Sequence, residues 1–468
     1  MTSDIANAAV SQSHQRESTP IDSLPYELLS HVFIFCFLNH AHISWHWSPC
    51  ARPSTKEAPL LLLRVCRAWR DCALSTPLLW SGLTICTPTV FCRTIVPYVK
   101  AAKEWLARAG SIPLSIVLVY DRANETDRGE IVDAALADIF IPSRTWRAVV
   151  LIIREPRRSP RVDSILTLIL RNAPELEKFS FDVSGIVMNE NIQNFSIGHA
   201  PKLTALTLTA SSWANGVSVS LETDQLYGIR ELRLQWLECS NDCLDILDRC
   251  PLVEVLHVSV RGRNPHTRQA SIRTLPQLRT FHVVAQTKAD VDTLFWGLTT
   301  PALNEFSMNH NGNLVEVIPC PHLAQLFARS QAPLMALSLL NSPMPEDNII
   351  GCLLHVPTLT TLSGDGWVFR SAIMEKLTPC LDPIRVPLCP NISTVKFTGE
   401  HTDFTAAAAM LRERWSISRQ NLNKRARRAG LKVTTPARVE MRPDNRFKFR
   451  DCPGMQECEK QGMVVWFI

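Results

Sequence analysis

Along much of the chain the apolar residues follow one recurring arrangement: a proline, then apolar side chains two, five and seven positions later. It occurs at Pro174 (Leu176, Phe179, Phe181), Pro201 (Leu203, Leu206, Leu208) and Pro251 (Val253, Leu256, Val258). It recurs at Pro276 (Leu278, Phe281, Val283), Pro301 (Leu303, Phe306, Met308) and Pro390 (Ile392, Val395, Phe397). Pro357 keeps Leu359 and Leu362 but has Gly364 in the last position. Copies without the proline in register use Ile229, Leu232 and Leu234, then Leu334, Leu337 and Leu339; Trp146, Val149 and Leu151 are a further candidate. From Pro201 to Pro301 the units follow one another about every 25 residues, a period that belongs to stacked repeats. Residues 164–173, 242–250, 291–300 and 347–356 precede such units, carry apolar residues at helical spacing and end at the proline, which stops a helix. The end of each unit alternates apolar, polar, apolar, as a half-buried strand does. Each unit reads as helix, turn and short strand, and it buries its apolar side only against the units before and after it. The expectation is an irregular α/β solenoid over residues 82–468. Loop insertions are expected where the spacing widens, between Pro301 and Pro357 and between Pro357 and Pro390.

The first part of the chain is patterned differently. Residues 1–19 have no apolar periodicity and are expected to form a disordered leader. Residues 20–81 read as a helical module. In its first helix Ser23 or Asp22 suits the cap, Pro25 the first turn, and Glu27 the helix dipole. Leu24, Leu28, Leu29, Val32 and Phe33 form an apolar stripe behind them. A second helix follows Pro59, with Leu62, Val65, Cys66, Trp69 and Ala73 on one side. Between the two lies a loop insertion at 39–58, rich in His, Trp, Ser and Pro. The module carries more apolar surface than one face needs, which makes it a candidate docking surface.

Composition narrows the classes. The chain has 468 residues, 46% hydrophobic and 20% charged, which suits a protein that folds over most of its length. Its fifteen cysteines include no Cys-x-x-Cys pair, so they are expected to be small buried apolar residues in a reducing compartment. Neither a signal-peptide core nor an apolar run of roughly 18 residues is present. A cytoplasmic or nuclear protein, or one found in both places, with no membrane partner is therefore expected. The formal charge of +5 is unevenly spread: between Leu411 and Arg450 thirteen Lys and Arg face only Glu413, Glu440 and Asp444. That basic C-terminal region suits a solvated face, and alternatively an acidic partner or nucleic acid. Phosphate-binding loops, nucleophile elbows and zinc-binding His-Glu-x-x-His patterns are missing from the sequence. No enzyme, cofactor or metal is therefore expected, and Asp365 between Gly364 and Gly366 reads as a turn.

The stretches Leu24–Phe33, Arg64–Ala73 and Ser75–Trp80 resemble, in order, the landmarks of the F-box, and the chain as a whole is similar to fungal F-box proteins with degenerate leucine-rich repeats. That resemblance implies an α/β protein made of an N-terminal helical F-box-like module followed by an irregular leucine-rich-repeat-like solenoid. The implied function is the substrate-receptor subunit of an SCF-type cullin-RING ubiquitin ligase. It would bind a Skp-family adaptor, and through it the ligase, by Leu24, Pro25, Leu28, Leu29, Val32, Val65, Cys66 and Trp69. Trp80 is expected to lock the module onto the first repeat. An unknown protein substrate would meet the polar positions between the apolar ones, such as Arg233, Gln235, Glu254, His257, Arg279 and His282. Two other readings stand beside it: an interaction scaffold independent of any ligase, and a nuclear nucleic-acid-binding protein acting through 411–450.

Overall fold

The computed structural model describes residues 21, 24–40, 50–51, 53–86, 95–121, 139–140, 145–154, 173–183, 200–210, 226–237, 240–260, 271–285, 288–311, 319–379, 388–398, 402–420, 438–443 and 446–467. The leader at 1–19, the helix expected over 164–172, most of the insertion, and 421–437 of the basic region lie outside them. Helix α1 (Tyr26–His40), a single 3₁₀ turn (Leu62–Arg64), α2 (Arg67–Leu74) and a second 3₁₀ turn (Pro77–Trp80) lead into β1 (Gly82–Cys86). Then come α3 (Ile95–Ala107), β2 (Leu114–Asp121), β3 (Trp146–Arg154), β4 (Lys178–Val183), β5 (Ala205–Ala210) and β6 (Glu231–Leu237). Next are α4 (Ser240–Leu247), β7 (Val255–Val260), β8 (Arg273–Thr274), β9 (Thr280–Ala285), α5 (Lys288–Trp296), β10 (Leu298–Thr299) and β11 (Glu305–His310). They are followed by α6 (Pro321–Ser330), β12 (Ala336–Leu340), α7 (Glu346–Leu354), β13 (Thr361–Gly364), α8 (Ser371–Leu377) and β14 (Thr394–Phe397). The chain closes with α9 (Phe404–Gln420), β15 (Arg438–Met441), α10 (Arg446–Arg450), α11 (Met455–Lys460) and β16 (Val464–Phe467).

Fourteen strands form one sheet in chain order, with β8 and β10 paired apart from it, and all neighbours in it are parallel. With the eleven helices among the described residues, this is a mixed α/β protein. Local chemistry drives the stepping. At each proline a tight turn closes: Leu176 donates its N–H to Ala173 O, Leu203 to Ala200, Leu278 to Leu275, Leu303 to Thr300 and Ile392 to Cys389. Proline presets the backbone for such a turn. The next N–H groups then reach the preceding unit. Arg230 and Glu231 donate to Thr204 O, Glu254 and Val255 to Arg230 O, Arg279 and Thr280 to Glu254 O, and Asn304 and Glu305 to Arg279 O. The apolar side chains of every copy point into one continuous core. Gly364 breaks the pattern because Val368 already fills its place: a Cβ there would sit 2.6 Å from the valine side chain.

Two local expectations are corrected, one at a helix end and one in the insertion. The helix before Pro301 stops at Trp296, since Leu298 and Thr299 leave it to pair with β8. The residues bridging strand ends are Asn309, Asn341 and Asp365. Asn341 donates to Asn309 Oδ1 at 3.3 Å, and its backbone N–H donates to the Asp365 carboxylate at 2.6 Å. Asp365 also accepts from Trp367 N at 2.9 Å, so its carboxylate is the staple of a turn. Finally, the end of the insertion is more than a connecting loop. Ala51 pairs with Leu83, its N–H donating to Gly82 O and its O accepting from Thr84 N. Cys50 packs beside Val117, Val150 and Ile152 on the sheet face opposite the main core. Ala51 thereby pairs with the edge of β1 at Leu83, part of a site that otherwise invites foreign strands.

Candidate docking surface

The first helix decides the character of the N-terminal module. Leu29, Phe33 and Phe37 recur at one-turn spacing and face inward, where Phe33 meets Trp69 of α2 at 5.0 Å between ring centroids. Tyr26 O accepts from Cys72 Sγ at 3.6 Å, so α1 runs antiparallel to α2. A second apolar series on α1, Leu28, Val32 and Phe35, faces solvent at 51%, 40% and 68% exposure. Leu24, Pro25, Leu61, Val65 and Cys66 are exposed with them. Of the eight residues expected to contact an adaptor, six therefore lie on the surface. Leu29, 4% exposed, is core, and Trp69 is half-buried because it packs on Phe33 between α1 and α2. Phe35 and Leu61 were missed by the sequence reading. Phe35 was legible as the next member of the series Leu28, Val32, seven residues on.

Trp80 closes the module. It is fully buried, donates Nε1–H to Ala73 O at 2.8 Å and stands edge-on to Trp105 of α3 at 4.9 Å. Through this one packed residue α2 is tied to α3, just before and after β1.

On the sheet face away from the helices, the register aligns Arg233, His257 and His282 across β6, β7 and β9, followed by Ser307, Ser338 and Ser363. The two imidazoles stack with centroids 4.4 Å apart and planes 22° from parallel. Burial, helped by the Arg233 charge and by His282, pushes the His257 pKa down to about 3. Burial likewise lowers that of His282, against the pull of Glu305. Both rings are neutral at neutral pH. Arg233 is bound to Glu231 at 2.7 Å, and Glu254 to Arg230 at 3.3 Å. Gln235 shares the open face, but β6 bulges immediately after it, with Trp236 at φ 67°. Glu254 and Arg279 stand in the turns just before β7 and β9, at the rim of the face. The six residues therefore divide into four on the face and two on its edge.

No group of three or more metal-binding side chains occurs among the described residues, and none of their cysteines forms a disulfide. No described helix is long and apolar enough to cross a membrane. Compared with known proteins, the chain matches no family model and no curated protein.

Proposed function

We propose that this chain is an F-box protein: a non-catalytic substrate receptor of an SCF-type cullin-RING ubiquitin ligase, with a leucine-rich-repeat-like solenoid behind its docking module. The observation that carries the reading is the solvent-facing series Leu28, Val32 and Phe35 on α1, with Leu24, Leu61 and Val65 also exposed in the same N-terminal segment. Each large apolar side chain left in water forgoes about 1.5–3 kcal/mol of burial, so a helix face with three of them in series marks a surface meant to be covered. Its place on a small helical module, ahead of a long stepped sheet, supports a Skp-family adaptor as the cover. The open face, with its uncharged His257–His282 step and the row of serines beside it, supports protein capture by the sheet. The chain itself supplies proximity, and partner subunits transfer ubiquitin.

The nucleic-acid reading has less support. In the basic region Arg414 is buried and donates to Leu377 O, Leu388 O and Cys389 O, while Arg412 donates to Pro453 O. Arg438 and Arg450 pair with Glu440 and Glu459. These four cations already have partners within the chain, and Arg414 is buried.

The test is co-purification of the full chain with a Skp-family adaptor, wild type against Leu28→Asp/Val32→Asp. Both positions are exposed, so the variant keeps its circular dichroism spectrum and loses the adaptor. A folded wild type that never co-elutes overturns the reading.

A further inference from the structure

Away from the open face of the sheet, buried serines are bonded: Ser81 donates to Leu78 O, Ser342 to Leu340 O, and Ser330 accepts from Thr300 N. Three buried serines have no side-chain partner among the described residues, and all three, Ser180, Ser259 and Ser363, lie on that face. An unpaired buried hydroxyl destabilises a fold, so each one calls for a cause. Ser363 differs from the other two in its neighbours. The register sets it beside Ser338, and Ser338 beside Ser307, so three hydroxyls cross β11, β12 and β13 in one row. Ser307 and Ser338 are half-buried, Ser363 is 7% exposed, and none of the three hydroxyls has a partner among the described residues. Ala336 and Thr361 precede Ser338 and Ser363 by two positions on the same face, so the floor here is made of short side chains. With strands about 4.8 Å apart, that floor is about 10 Å across. His282 on β9 bounds it on one side and Lys396 on β14 on the other.

Charge narrows what can lie on this floor. Lys396 is held by Glu440 at 3.0 Å, and Arg233, beyond the histidines, by Glu231. His257 and His282 are uncharged at neutral pH. Among the described residues of the face from β7 to β14, the one charge without an ion pair is the Glu305 carboxylate, two positions before Ser307. An acidic segment would meet repulsion there and no free cation. We infer that the floor over β11–β13 binds an extended, non-acidic polypeptide segment by its main chain, with Ser307, Ser338 and Ser363 paired to its peptide groups. This rests on the ligase-receptor reading and names the class of segment its sheet would capture. A hydroxyl both donates and accepts, so a row of them matches peptide N–H and C=O groups alike. Short side chains let a backbone come close enough to use them.

The test selects peptides from a random displayed library on the full chain, then titrates the enriched peptides, synthesised with a fluorescent label, against wild type, Ser363→Ala and Ser338→Arg. The enriched peptides are expected to lack Asp and Glu. Ser363→Ala is expected to keep or raise the urea midpoint, since it removes an unpaired buried hydroxyl, and to weaken peptide binding about fivefold or more. Ser338→Arg fills the floor and is expected to abolish binding with its circular dichroism spectrum unchanged. A lower urea midpoint for Ser363→Ala with peptide affinity unchanged makes that hydroxyl structural and overturns the inference. Failure to enrich any peptide, or enrichment of acidic ones, overturns it too. So does a neutral oligosaccharide that binds wild type and not Ser338→Arg where no peptide binds. With adaptor co-elution intact, each of these results leaves the ligase-receptor reading standing. Peptide binding of the expected kind by a chain that never takes up the adaptor overturns that reading and leaves this inference in place.

Discussion

His257 and His282 press two imidazoles together on a half-buried face, beside the Arg233 cation and the Glu305 carboxylate. Folding lowers both pKa values below the unfolded one of about 6.5, so the native state holds fewer protons than the unfolded chain just below that pH. Stability from the pair is complete above about pH 6.5 and falls as the pH drops toward the His257 value of about 3. His257→Gln is expected to narrow the loss of urea midpoint between about pH 7 and about pH 5. A loss equal to wild type would show that the pair does not titrate on unfolding. Arg414 poses the opposite problem. Its buried guanidinium faces three carbonyls and no carboxylate, and burial takes its pKa down to about 10. The planar fork satisfies the carbonyls of Leu377, Leu388 and Cys389 together, which a lysine ammonium does not reproduce. Arg414→Lys is expected to cost at least about 2 kcal/mol in chemical denaturation. Neither role was legible in the sequence. The bonds join α9 to segments 25 to 37 residues earlier, which no local pattern records.

At the scale of an element, α1 is the informative case. Its sequence reads as one apolar stripe of Leu24, Leu28, Leu29, Val32 and Phe33, and the fold splits that stripe in two. Leu29, Phe33 and Phe37 go inward and Leu28, Val32 and Phe35 outward, although both series have nearly the same helical spacing. What separates them is where α2 lies, through Trp69 against Phe33. Leu29→Ala is therefore expected to lower stability by about 2–5 kcal/mol, as a cavity in a packed core does. Leu28→Ala is expected to change it by less than about 0.5 kcal/mol and to weaken adaptor binding instead. Unfolding curves and adaptor titrations of the two variants check both halves, and equal stability losses would refute the split. The strands were easier to read. Their alternation leaves one face apolar, and a one-residue slip would turn every such side chain to solvent.

For the whole molecule, sequential order in an all-parallel sheet means that each strand is held by its two neighbours and by the core beneath. Stability is then close to a sum of local and neighbour terms, and the ends have fewer neighbours than the middle. Native-state hydrogen exchange is expected to show strongest protection in β6, β7, β9 and β11, with opening that begins at β15 and β16. Equal protection from end to end would mean a single cooperative unit. The repeat itself was present in the sequence, because a proline turn, a helix stop and a two-residue alternation are each local and need no distant partner. So was the existence of two helical segments with surplus apolar surface ahead of it. Tertiary structure alone decided which apolar residues of α1 remain in water, that Ala51 pairs with the edge of β1 at Leu83, and that Arg233, His257 and His282 form one aligned row. Those outcomes depend on register and helix placement, which are set by packing between units far apart in the chain.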